Sequence, residues 1–285
     1  MVHYIENDYL RIGVKELGAE ITSVISKKSG YEFLWQGNPD IWSGQSPILF
    51  PIIGRLLNDS YTLDGADYYL QKHGFARRMT WEFKSQTTDS ISFCLSENEE
   101  TLKSYPYSFD LIVTFTLDKN SLAVCHKVIN KNRYDMYFSL GAHPAFNCEI
   151  GDALVFDDNE NLDTIKIDLE NSLRLSETYP LLKNERKITI TNDIFNEDAL
   201  IFKGVKSKHI TLESKVSSRK IKFDIGAAPY LGIWAKPGAP YVCIEPWFGV
   251  NDSKEKKSDF SQKDDIQKLI PEGSFTFEWK AEFFE

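Results

Sequence analysis

At 285 residues, with 42% apolar and 13% aromatic side chains, the chain carries enough hydrophobic material for a large core, and all-β architectures often reach this length as one unit. A formal net charge of −9 argues against nucleic acid as a partner, which needs clustered Lys and Arg on an exposed face, and favours small neutral or modestly charged ligands. Cys94, Cys125, Cys148 and Cys243 lie far apart, without a CxxC pair, so buried free thiols are expected rather than disulfides. No basic segment with a hydrophobic run opens the chain, and no stretch approaches the roughly 20 apolar residues of a membrane helix. A cytoplasmic chain without a membrane partner is expected, and the sequons at Asn58 and Asn251 then carry little weight.

In chain order the sequence reads as strands. Tyr4 to Val14 and Ala19 to Ser26 flank a turn at Gly18, and Tyr31 to Trp35 is a further extended run ended by Gly37-Asn38-Pro39. A short helical turn is expected at Asp40 to Trp42. Ile48 to Ile53 is apolar on both faces, and Arg55 follows inside a sequence that otherwise looks buried. Such an arginine either pairs with an internal carboxylate or offers its planar donor fork to a ligand. Tyr61 to Leu70 predicts a hairpin about Asp64-Gly65 and delivers Lys72-His73-Gly74. Thr80 to Ser85, Ile91 to Ser96, Phe109 to Leu117 and Ser121 to Asn130 continue the series with antiparallel patterning. His126 shares a strand face with Leu122, Val124 and Val128 and reads as structural.

Ser139 to Asn147 ends an apolar run with His143 directly before Pro144. Proline disfavours the α region for its predecessor and lacks an N–H for a neighbouring strand, so His143 is expected to be extended where ladder pairing stops. Asp152 to Asn161 is acidic enough for a solvated loop and lacks the ordered pattern of a calcium loop. Ile165 to Leu169, Lys187 to Thr191, His209 to Glu213, Lys220 to Asp224 and Tyr230 to Trp234 are further predicted strands. Asp198 belongs to an acidic pair set against an apolar run. Tyr241 to Gly249 repeats the earlier device, with Glu245 before Pro246. Gln262 to Leu269 predicts a short helix, and Phe275, Phe277, Trp279, Ala281 and Phe283 alternate with polar residues in a terminal strand. More than a dozen short strands with almost no amphipathic helix predict a large all-β antiparallel sandwich or barrel over residues 1–285 as a single domain.

Taken together, Ile53-Gly54-Arg55-Leu56-Leu57-Asn58, Thr62-Leu63-Asp64-Gly65, His73-Gly74, Gly141-Ala142-His143-Pro144-Ala145-Phe146-Asn147 and Cys243-Ile244-Glu245-Pro246 resemble the aldose 1-epimerase, or galactose mutarotase-like, family, and most closely its LacX-like branch. The resemblance implies a β-supersandwich that interconverts the α and β anomers of a free aldose without metal or cofactor. It also implies Arg55, His73 and Asp198 as substrate-binding residues, His143 as general acid and Glu245 as general base. Prolines after His143 and Glu245 depart from the galactose-specific pattern, which bears on the preferred sugar.

The residue types suit that chemistry. Mutarotation removes a proton from the C1 hydroxyl while protonating the ring oxygen; Glu is ordinarily ionised at neutral pH and His carries a proton near it. Phe146, Trp234 and Trp247 are candidates for the apolar faces that meet sugar C–H groups. A glycosidase would use two carboxyl groups, whereas these motif sites hold one Glu and two His. Zinc held by His73, His143 and Cys148 has no ligand spacing in its favour. A non-catalytic sugar-binding module remains an alternative. So does a hexose 6-phosphate substrate, for which Lys72, Arg77 and Arg78 flank His73 while Lys254, Lys256 and Lys257 follow Glu245. Exposed cations are ordinarily just solvated, and Asp252, Glu255 and Asp259 offset the second cluster, so neutral aldohexoses are the favoured expectation.

Overall fold

Strand alternation places one face of each central strand inward. Phe109–Asp118 buries Leu111, Val113, Phe115 and Leu117, and Ser121–Asn130 buries Leu122, Val124, His126 and Val128. Ser274–Phe284 buries Phe277, Trp279, Ala281 and Phe283, in the phase expected from its sequence. The structure, a computed structural model, describes residues 1–255 and 259–285. These strands belong to a nine-stranded antiparallel sheet with the order Arg174–Thr189, Ala153–Ile167, His209–Glu213, Lys220–Asp224, Ser274–Phe284, Ser121–Asn130, Phe109–Asp118, Ser90–Ser96 and Glu82–Gln86.

A six-stranded sheet packs against it, ordered Leu200–Lys203, Tyr230–Trp234, Tyr241–Phe248, Leu140–Ala142 and Ile48–Leu49, with Ala145–Asn147 also paired to Tyr241–Phe248. Phe248 fills the interface with ring centroids 5.0 Å from Phe275 and 4.9 Å from Phe277. Fully burying one such side chain contributes about 1.5–3 kcal/mol, and a continuous apolar cluster runs from Ile5 to Phe283. Tyr241–Phe248 is buried along its whole length. Val242, Ile244 and Phe248 join the core on one face, which leaves Tyr241, Cys243, Glu245 and Trp247 on the other.

Several local expectations are corrected. The acidic stretch from Asp152 to Asn161 is not a solvated loop, because most of it lies in the Ala153–Ile167 strand. Its carboxylates cap neighbouring segments: Asp157 accepts from the His209 backbone N–H at 3.0 Å, and buried Glu160 accepts from the Ser207 N–H and hydroxyl, each at 2.7 Å. Gln262 to Leu269 is not a helix, since Gln267–Leu269 pairs with Met136–Phe138 as a strand. Between Tyr31 and Trp35 only isolated bridges form, Ile25 to Glu32 and Leu34 to Phe146. One short helix, Glu99–Ser104, was not legible; Asn98 caps it by accepting from the Glu100 and Thr101 N–H groups. The four cysteines are free, Cys125 half-buried and the others buried. No described helix is long and apolar enough to cross a membrane.

His126 is buried and stacked on Phe277, with a centroid separation of 5.5 Å, and neither ring nitrogen has a hydrogen-bond partner. Burial pulls its pKa down to about 4. The unfolded chain therefore takes up a proton near pH 6.5 that the folded chain refuses. Stability from this group is fully present above the unfolded value and is lost as pH falls toward the folded one, by about 3 kcal/mol at pH 4. Urea unfolding of wild type and His126→Leu at pH 7 and pH 4 should show the variant losing less stability on acidification by about that amount. Parallel losses would contradict an uncharged buried His126.

Candidate functional site

The central strand of the smaller sheet has one interrupted neighbour. Leu140 and Gly141 pair with Phe248 and Trp247, pairing then stops at His143-Pro144, and it resumes where Ala145 faces Cys243. The register puts His143 across from Glu245, with both side chains on the face turned away from the core. Proline thus ends the ladder at the residue whose ring must leave the sheet. His143 Nε2 lies 3.3 Å from Glu245 Oε2, and the residues are 8% and 1% exposed. They form the floor of a cavity of about 420 Å³ that is also lined by Trp42, Lys72, His73, Arg77, Asp198, Trp234, Trp247 and Asn251.

Burial dominates the electrostatics. It pulls His143 well below the ordinary imidazole value, helped by the positive fields of Arg77 and Lys72. It pushes Glu245 well above the ordinary carboxyl value, aided by Asp198 and opposed by the Trp247 indole and Lys72. Both directions run against reference values that would make Glu ionised and His protonated, and two groups this close titrate as a unit. Burial thus favours the uncharged form of each group, with one proton on the pair.

His73 reaches the cavity from a strained turn, with φ of 66°, followed by Gly74 at 68°. A side chain at Gly74 would place its Cβ 2.2 Å from the Phe50 carbonyl oxygen, so only glycine lets the turn pack this closely. The Gly54 N–H donates to His73 Nδ1 at 3.1 Å, which leaves the ring proton on Nε2 as a donor. Its ring centroid is 6.0 Å from that of His143. Burial, with the neighbouring positive charges, keeps His73 neutral by lowering its pKa well below the usual value. Asp198 lines the cavity with φ of 72°, its Oδ1 accepting from the Ala199 N–H at 2.8 Å.

Arg55 does not line the cavity. Its Nε and Nη2 are engaged by Asp59 at 2.7 and 2.6 Å, because the intervening turn brings a carboxylate four residues along within reach of the fork. The cavity-lining cations are instead Lys72 and Arg77. Phe146 also lies elsewhere: it is 1% exposed and packs on Phe223 and Phe283. It pairs with Val242, one residue out of phase with Cys243, so the pleat turns it to the core. Trp234 and Trp247 do line the cavity.

Trp42 has no signal in the sequence beyond a short turn, yet its indole stacks on His143 at 5.1 Å and meets Trp234 edge-on at 5.5 Å. Gly44 makes this possible, since a Cβ there would come within 2.4 Å of the indole. The remaining cations separate from the site: Arg78 is exposed and paired with Gln71, Lys254 pairs with Asp168 at 2.8 Å, and Lys256 and Lys257 lie outside the described residues. Among the described residues, His143, Cys243 and Glu245 are the one cluster of metal-type ligands, with atoms within 4.8 Å of one another. Burial pushes the Cys243 thiol up, away from the thiolate that would bind a metal.

The sequence model of the aldose 1-epimerase family matches residues 1–259. The chain is 32% identical over 282 residues to the chromosomal LacX protein of Lactococcus lactis subsp. lactis, covering 94% of each. Among solved structures it superposes on a galactose mutarotase related enzyme from Lactobacillus acidophilus with a TM-score of 0.95, at 33% identity and covering 100% of this chain and 98% of that one. A galactose mutarotase-like protein from Lactobacillus casei gives a TM-score of 0.94 at 29% identity, with 100% of both chains covered. Fold, sequence and the shared course of the whole chain establish it as a member of the aldose 1-epimerase family, with the galactose mutarotase-like β-sandwich.

Proposed function

We propose that the chain is a cofactor-independent aldose 1-epimerase acting on unphosphorylated aldohexoses, with Glu245 and His143 as the proton-transfer pair. The observation that carries this reading is the 3.3 Å separation of His143 Nε2 and Glu245 Oε2 on a cavity floor lined by polar and aromatic side chains. In its carboxylate form Glu245 takes the proton from the C1 hydroxyl while imidazolium His143 protonates the ring oxygen. The bond from C1 to the ring oxygen breaks and C1 becomes a carbonyl. Rotation about C1–C2 and closure on the opposite face then return both protons. Because the two groups share one proton, the pair supplies one acid and one base at the start and end of each turnover, and each contributes about 10²- to 10⁴-fold. His73 Nε2, Lys72, Arg77 and Asp198 supply donors and an acceptor for the remaining hydroxyls, and Trp42 and Trp234 supply apolar faces.

A second reading, a hexose phosphate substrate, is favoured by one feature. Lys72 donates to the Ser172 hydroxyl at 3.2 Å and Arg77 to the Lys72 carbonyl at 3.0 Å, and neither meets a carboxylate in an ion pair among the described residues. The decay of optical rotation of fresh α-D-glucose, α-D-galactose and α-D-glucose 6-phosphate, at low and high salt, separates the readings. Catalysis of the neutral sugars with little salt dependence is the expected result. A strong, salt-sensitive preference for the phosphate would overturn the choice of substrate, and acceleration of none of them would overturn the epimerase reading.

A further inference from the structure

Trp247 stands two residues from Glu245 on the same strand face, and its indole lies in a slot made by the absence of two side chains. Gly141 on one neighbouring strand is paired opposite Trp247, and Gly232 on the other is paired opposite Glu245. A Cβ on Gly141 would come 2.7 Å from Trp247 Cδ1, and a Cβ on Gly232 would come 2.7 Å from Cζ2 and 3.2 Å from Cε2. Cδ1 and Cε2 are the ring neighbours of Nε1, so the two glycines bracket the indole on either side of its N–H, with a Cβ on Gly232 nearest the benzenoid atoms Cζ2 and Cη2 at 2.7 and 2.9 Å. The ring is wedged by Leu49, Ile53, Ile167, Ile201, Tyr230 and Val250 in a small apolar cluster. Its orientation is therefore set by packing.

The seated N–H is buried and finds no partner of good hydrogen-bond geometry, and Glu245 Oε2, which faces His143 Nε2 at 3.3 Å, likewise accepts no hydrogen bond of good geometry. A buried donor left unmatched costs about 1–3 kcal/mol, and a matched one is favoured most when its acceptor is charged. We propose that Trp247 is a positioning residue of the site, its glycine-seated indole N–H held ready to donate to the Glu245 carboxylate and so to keep the base form available inside a buried cavity. The hydrogen-bonding pull of the indole N–H on the Glu245 carboxylate acts in the same sense, opposing the upward push of burial. The inference rests on the proposed epimerase reading for its role in turnover, but the pull of the indole on the carboxyl is to be read in the sugar-free protein.

Trp247→Phe removes the N–H and retains an aromatic ring; Gly232→Ala keeps the N–H but lifts the indole out of its slot. Infrared titration of the sugar-free protein identifies the Glu245 carboxyl by its disappearance in Glu245→Gln. Both Trp247→Phe and Gly232→Ala are expected to move that titration upward by about one to two pH units. The acidic limb of the pH profile of kcat/KM moves with it, lowering the rate about tenfold or more below the limb. A structural role alone would change stability or KM without moving the titration. Inactive wild type would overturn the epimerase reading; an unmoved carboxyl titration in either folded variant would overturn the role of Trp247, whatever the activity.

Discussion

Replacing Glu245 with glutamine is expected to lower kcat for mutarotation by about 10²- to 10⁴-fold while changing sugar affinity only a few-fold. Glutamine preserves the shape of the side chain and fills the same position beneath the cavity, but it cannot accept the C1 hydroxyl proton. The substitution also removes the carboxylate that faces His143 Nε2 at 3.3 Å, so the imidazole loses a possible counter-ion and becomes still harder to protonate. Loss of the base and weakening of the acid thus come from one change, which is why the effect on kcat should far exceed that on binding. Polarimetry at saturating sugar, with affinity measured by calorimetry on the same variant, checks the split. Near-wild-type kcat in a folded Glu245→Gln protein would remove Glu245 from the reaction.

The largest expected effect on stability comes from a buried ion pair behind the site. Lys263 Nζ donates to Asp252 Oδ1 at 2.9 Å and to the Val250 carbonyl at 2.6 Å, and both residues are almost wholly buried. Asp252 in turn accepts from the Leu57 N–H at 2.9 Å, and its own N–H donates to the Arg55 carbonyl at 3.0 Å. The pair therefore fastens the segment after the central strand to the Gly54-Arg55-Leu56-Leu57 turn, next to cavity-lining Asn251. Lys263→Met breaks this buried pair and removes both of the lysine's hydrogen bonds, and should destabilise the fold by about 3–5 kcal/mol. Adding Asp252→Asn removes the other charge of the pair and should recover part of that loss. Denaturant unfolding of the single and double variants measures both terms. A loss below about 1 kcal/mol in the single variant, the size expected of a solvated pair, would show that Asp252 is not desolvated.

Strands that obey near-neighbour rules were legible in the residues alone. Alternation over Phe109 to Leu117 and over Phe275 to Phe283 arises because successive side chains leave a strand on opposite faces, which needs no knowledge of the partner. The stop at His143-Pro144 was visible for the same kind of reason: proline restricts its own backbone and that of the residue before it; Glu245-Pro246, by contrast, stays paired inside the continuous strand Tyr241–Phe248. Which residues face one another was settled by long-range pairing. Register between strands a hundred residues apart set His143 against Glu245, and the same register turned Phe146 into the core, one residue out of phase. The choice between Arg55 and Arg77 was a competition between partners: Asp59 took the first guanidinium, while the turn around His73 carried the second into the cavity. Trp42 reached His143 through a loop whose course depends on what Gly44 leaves empty. Contacts of this kind depend on long-range packing and on which of several possible partners is nearest once the chain has folded, so no local pattern of residues encodes them.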